Sequence, residues 1–166
     1  QVVRNAKNQI ENEKVLAAIR GVFALQNSAK KDSREDELRQ RLRYILSQLG
    51  MSGERGTQDI IDACCFVREH GGTVSSSGIR ALCMALCPDA PKSTEQRMRR
   101  AIERSLRHIA SLGLEDYTNE VFVRYATHLF PFEEVRREMA AIQGRGRGGH
   151  VSVKTFLDGL MVLLDD

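Results

Sequence analysis

Arg97, Arg100, Arg104 and Arg107 recur at steps of three and four residues within Lys92–Gly113, KSTEQRMRRAIERSLRHIASLG. An α-helix turns once per roughly 3.6 residues, so this spacing sets four guanidinium groups in one line. Met98, Ile102, Leu106 and Ile109 repeat on another side of the same helix and can face a core. A row of guanidinium groups on a helix held from behind by apolar side chains suits bidentate hydrogen bonding to phosphate oxygens and to guanine edges. Ser93, Thr94 and Gln96 stand at the start of the row, and a Gln side chain matches adenine in the same way. A solvated helix face is the competing reading of any such charge run.

Other chemistry finds weaker support. Four cysteines occur, Cys64, Cys65, Cys83 and Cys87, all in helical, apolar context. Cys83 and Cys87 lie one turn apart, and thiolates so spaced can share a zinc ion. There is no CxxC pair, and His70 or His108 would have to complete the set. Core thiols in a reducing, cytoplasmic compartment are therefore expected, with no metal. GRGRGG at Gly144–Gly149 has the composition of an RGG nucleic-acid segment. A single copy between two helices reads as a loop, from which Arg145 or Arg147 could graze a phosphate. It lacks the GK[ST] ending and preceding strand of a phosphate loop. His70, His108, His128 and His150 fall into no Ser/His/Asp or Cys/His pattern, and no nucleophile elbow or carboxylate pair is visible. No catalytic residue, cofactor or enzyme activity is expected.

The elements that must position these residues are helical. Hydrophobic content is 42%, charged content 28% and aromatic content 5%, with no Trp, which fits a helix-packed soluble domain better than a β-sandwich. The net charge of +3 is modest, so its uneven distribution matters more than its size. No signal peptide and no membrane-spanning run is expected, and a chain beginning at Gln1 is expected to be part of something longer or a processed form.

Gln1–Gln26 reads as a long amphipathic helix, with Val3, Ile10 and Ala17 at heptad spacing and Leu16 and Phe23 on a neighbouring line; it could pair with a second copy or pack on its own domain. Asn27–Ser33 looks like a linker, and Asp32 or Ser33 can cap a helix that runs to Leu49 and stops at Gly50. Thr57 opens the next helix, which Gly71–Gly72 closes. Ser75–Ser77 caps another, carrying Ile79, Leu82, Cys83 and Leu86. CPDAP then leads into the arginine helix, which ends at Gly113. Later helices carry Val121–Leu129, Phe132–Ile142 and Val151–Leu164, giving about eight in all. Ser76–Leu86, the CPDAP turn and Ser93–Leu112 together read as a helix-turn-helix, although the turn is longer than usual.

RMRRAIERSLRHIASLGLEDYTNEVFVRYATHLFPFEEVRREM, followed by VSVKTFLDGLM and preceded by LSQLGMSGERGTQDII, resembles the C-terminal output domain of the YcbB/GlnL type of bacterial response regulator. The resemblance covers roughly Leu38 to Leu164. LCPDA and RMRRAIERSL are more distantly similar to pieces of the output domain of the sporulation master regulator, with a few residues fewer between them. The resemblance implies an all-α, multi-helix output domain of a two-component transcription factor that binds promoter DNA. It also implies a receiver domain and a sensor histidine kinase in the full-length system; no receiver pattern is visible here. On that resemblance residues 1–30 would be the linker from the receiver, which the heptad spacing allows to be a dimerisation helix serving a homodimer, and residues 34–166 the DNA-binding output domain. Double-stranded DNA would meet Ser93, Thr94, Gln96, Arg97, Arg100, Arg104 and Arg107. An RNA-binding, antiterminator-like domain and a helical protein-interaction module stay open as alternatives.

Overall fold

The computed structural model describes residues 1–166, the side chain of Ser77 excepted. It contains eight helices and, among the described residues, no strand. They are α1 (Val2–Gln48), α2 (Arg55–Glu69), α3 (Val74–Ser77), α4 (Ile79–Leu86), α5 (Pro91–Glu115), α6 (Glu120–Leu129), α7 (Phe132–Ile142) and α8 (Val153–Asp165). The all-α class expected from periodicity is the class observed.

The chain forms two compact units, Gln1–Glu37 and Leu38–Asp166. The first consists of Gln1 and the part of α1 up to Glu37, and every residue from Gln1 to Arg34 is exposed. The linker expected at Asn27–Ser33 is helical instead. That run holds no Gly or Pro, and its Asn and Ser each cost only a few tenths of a kcal/mol in a helix, so nothing in it stops propagation.

The second unit has α5 at its centre, packed against α2, α4, α6, α7 and α8. Met98, Ala101, Ile102, Leu106, Ile109 and Ala110 are buried along one side of α5. Each large side chain among them contributes on the order of 1.5–3 kcal/mol when fully removed from water. Around it lie Leu42, Leu46 and Leu49 from the first helix and its end, Ile60 and Ile61 from α2, Tyr125 from α6, Val135 from α7, and Phe156, Leu157 and Leu160 from α8.

Local chemistry fixes the boundaries. α1 ends in a Schellman motif: Gly50 takes φ 72° and its N–H donates to Ser47, while the Met51 N–H donates to Leu46. The helix predicted to start at Thr57 starts at Arg55, and the Thr57 hydroxyl instead donates to the Met51 carbonyl at 2.6 Å. Thr73, rather than Ser75–Ser77, supplies the next cap, in a reciprocal box with Ser76. Gly78, at φ 77°, then separates α3 from α4. Asn119 caps α6 and Ser152 caps α8.

The arginine helix runs from Pro91 to Glu115, longer at both ends than Lys92–Gly113. Pro at the first position needs no N–H partner and has a helical φ already. Gly113 does not stop the helix but makes room within it: a Cβ there would lie 2.4 Å from the Phe122 ring and 2.5 Å from the Met139 methyl.

Candidate nucleic-acid interface

The exposed side of α5 lines a groove together with Gly53–Gly56, Glu138 of α7 and Gly149. Five arginines (Arg55, Arg97, Arg100, Arg104 and Arg107) and three glutamates (Glu54, Glu103 and Glu138) line it, so cations and anions interleave with cations in excess.

Gly56 determines how α2 meets α5. A Cβ at Gly56 would lie 2.2 Å from the Arg97 carbonyl oxygen, so only glycine permits this backbone approach. One turn later, Asp59 faces Arg97. Arg97 donates from Nε to Asp59 Oδ2 at 2.7 Å and from Nη2 to Asp59 Oδ1 at 3.0 Å. Nη2 also donates to Thr94 Oγ1 at 3.1 Å. The Asp59 hydrogen bonds hold the Arg97 guanidinium above its ordinary pKa despite the opposing effect of burial. The Arg97 side chain keeps 35% of its exposure and Asp59 19%, so this fork is a brace between two helices more than a free binding arm.

Arg104 is paired with Glu54 in the segment between α1 and α2. Arg107 stands 3.8 Å from Glu138, a looser pair. Arg100 is exposed and, among the described residues, has neither hydrogen bond nor ion pair. Ser93 and Gln96 are also exposed. The four arginines therefore share one side of α5, as their spacing predicts, but are not equivalent.

Thr94 needs a correction as a ligand-facing residue. It is 1% exposed, and its hydroxyl donates to the Ala90 carbonyl at 3.1 Å while accepting from Arg97. Its position four residues before Met98 puts it on the core side of the helix.

Arg99, absent from the predicted set, fastens α5 to the approach of α8: it donates to the Val151 carbonyl at 3.1 Å and to Glu95 at 2.9 Å. Sequence reasoning also missed Asp59, Glu54 and Glu138. Each lies 31 to 50 residues from its arginine, and no local pattern connects residues that far apart.

The Gly-rich loop ends beside the same groove. Glu138 accepts from the Gly149 N–H at 3.0 Å and Glu134 from the His150 N–H at 2.7 Å. Arg145 is bound to Gln143, whereas Arg147 is exposed and, among the described residues, unpaired.

The cysteines are free thiols, with Cys64, Cys65 and Cys83 buried and Cys87 half-buried. Burial pushes the Cys64 thiol up to about 12 and Cys83 to about 11. Among the described residues no group of three or more His, Cys, Asp or Glu is placed to hold a metal ion. His70 stacks on Phe66, with Nδ1 2.8 Å from the Phe66 carbonyl at the end of α2. Among the described residues, no helix is long and apolar enough to cross a membrane.

The family model described as the YcbB domain matches residues 41–160. Among curated proteins, the Transcriptional regulatory protein GlnL of Bacillus subtilis (strain 168) is 30% identical over 167 residues, covering 87% of this chain and 53% of the relative. The chain thus spans about half the length of that relative. No solved structure gives a significant match.

Proposed function

The chain belongs to the YcbB-domain family, and from that premise we propose that it is the output region of a two-component transcriptional regulator that binds promoter DNA with the exposed side of α5. The relative is named a transcriptional regulatory protein. In this reading α4 and α5 are the two helices of a helix-turn-helix, joined by Cys87–Ala90. The start of α5 enters the major groove, where Ser93 and Gln96 meet base edges. Arg100 takes a guanine edge or a phosphate, and Arg104 and Arg107 take phosphates farther along. Arg97 and Thr94 hold the helix in place. A receiver domain phosphorylated by a sensor histidine kinase supplies the control in the whole regulator.

The observation that carries this reading is Arg100: an exposed guanidinium, unpaired among the described residues, amid arginine neighbours on a helix whose back is buried across five packed elements. Fluorescence-anisotropy titration of labelled promoter duplexes at several salt concentrations tests it. Arg100→Ala should weaken binding about tenfold and lower the salt slope by about one. Unchanged affinity and slope would remove the α5 face from DNA recognition. A structured RNA that outcompetes the duplex would move the assignment to RNA, and indifference to both would favour an acidic protein partner.

A further inference from the structure

We propose that the first unit is a pairing arm that joins two copies of this chain as a parallel, in-register, two-stranded coiled coil, with Ile19 at the centre of its seam. Val15, Leu16, Ile19, Val22 and Phe23 fall within nine residues, and each is 45–60% exposed. Five large apolar side chains left in water on about two and a half turns of helix invite a cover.

Charge narrows the seam to two neighbouring stripes that share Asn12, Ile19 and Gln26, one through Val15 and Val22 and the other through Leu16 and Phe23. Asn8, Asn12, Val15, Ile19, Val22 and Gln26 follow one another at alternating steps of four and three, the 3.5-residue repeat that keeps one stripe facing a supercoiled partner. None of the six is ionised. The rival stripe through Val3, Ile10 and Ala17 interleaves with Glu13 and Arg20. In a parallel self-pair each residue meets its own copy, so that stripe would set Glu13 against Glu13 and Arg20 against Arg20. The Ile19 stripe opposes no like charges.

The same feature selects a second copy over a foreign helix. A different partner would be chosen by complementary charges along the seam, and this stripe offers none. Asn12 facing Asn12 can hydrogen-bond to itself only when two chains run parallel and in register. The charges within residues 1–26, Arg4, Lys7, Glu11, Glu13, Lys14 and Arg20, all fall off the seam and keep the outside soluble.

Sedimentation velocity of the whole chain over a wide concentration range is the first measurement. The wild type should show a concentration-dependent dimer, and Ile19→Glu should raise the dissociation constant at least about tenfold, or 1.4 kcal/mol. The thermal unfolding of the second unit should be unaltered, because residue 19 is not part of the buried core, while helical circular dichroism from the arm falls as the pair dissociates. Orientation is read by oxidative cross-linking: Asn12→Cys should form an inter-chain disulfide faster than Ala17→Cys on the outer side, with the wild type as background. A monomeric wild type, or a dimer indifferent to Ile19→Glu, would overturn the proposal. Equal cross-linking at residues 12 and 17 would overturn the parallel register.

Discussion

Arg100 and Arg104 are one turn apart on α5, yet they differ in what each must release to take an anion. Arg104 already holds Glu54, and Arg100 holds no carboxylate among the described residues. In the proposed DNA complex, Glu54→Gln should strengthen binding severalfold by freeing Arg104 and removing a negative charge from the groove. It should also steepen the salt dependence by up to about one counterion. The same anisotropy titration reads both effects, and weaker binding would mean that Glu54 orients Arg104 rather than competing for it. The cysteines give a second prediction at this scale. A thiol raised from 9.0 to about 12 in the folded state, as at Cys64, keeps its proton where the unfolded chain loses one. Folding stability must then fall as pH rises above about 9. Urea unfolding at pH 8 and pH 10 should show that loss, and Cys64→Ala should reduce it; a pH response identical to the wild type's would refute the assignment. The arginine row and the buried thiols could be read from residue type and spacing. The paired carboxylates could not, because contacts across 38 or 50 residues leave no trace in a helical period. Thr94 was legible in principle: its offset from Met98 marks the core side, but its polarity suggested a ligand contact.

At the scale of elements, helix existence followed from periodicity, and boundaries followed from caps and glycines less directly. Gly50 stops α1 as expected, but the same residue type at 113 lies inside α5. Glycine ends a helix where the chain needs positive φ, and it survives inside one where another side chain presses on the backbone. Sequence alone does not distinguish the two cases; the Phe122 and Met139 contacts do. Gly113→Ala should therefore destabilise the protein. The gain of up to about 1 kcal/mol in helix propensity is smaller than the roughly 1–3 kcal/mol cost of overpacking. A thermal melt should show a lower Tm, by several degrees, and a higher one would mean that α6 and α7 can draw back. The linker expected at Asn27–Ser33 failed for the converse reason. Polar composition alone is a poor helix breaker, and the run lacks both residues that break helices well.

For the molecule as a whole, the small net charge and the arginine row belong together. Acidic side chains from α2, from α7 and from the segment before α2 reach into the row and offset most of its charge locally. That arrangement needs the tertiary structure, so the chain's charge distribution could announce the row without revealing its counterweights. A guanidinium that already grips an oxygen anion can accept a new one only by exchange, and exchange returns little when it happens at one place. If this face meets DNA as proposed, loose adhesion to any acidic polymer is thereby discouraged. Only a rigid surface whose oxygens arrive together, at the right spacing, displaces several carboxylates in a single event, and such a face trades grip for discernment.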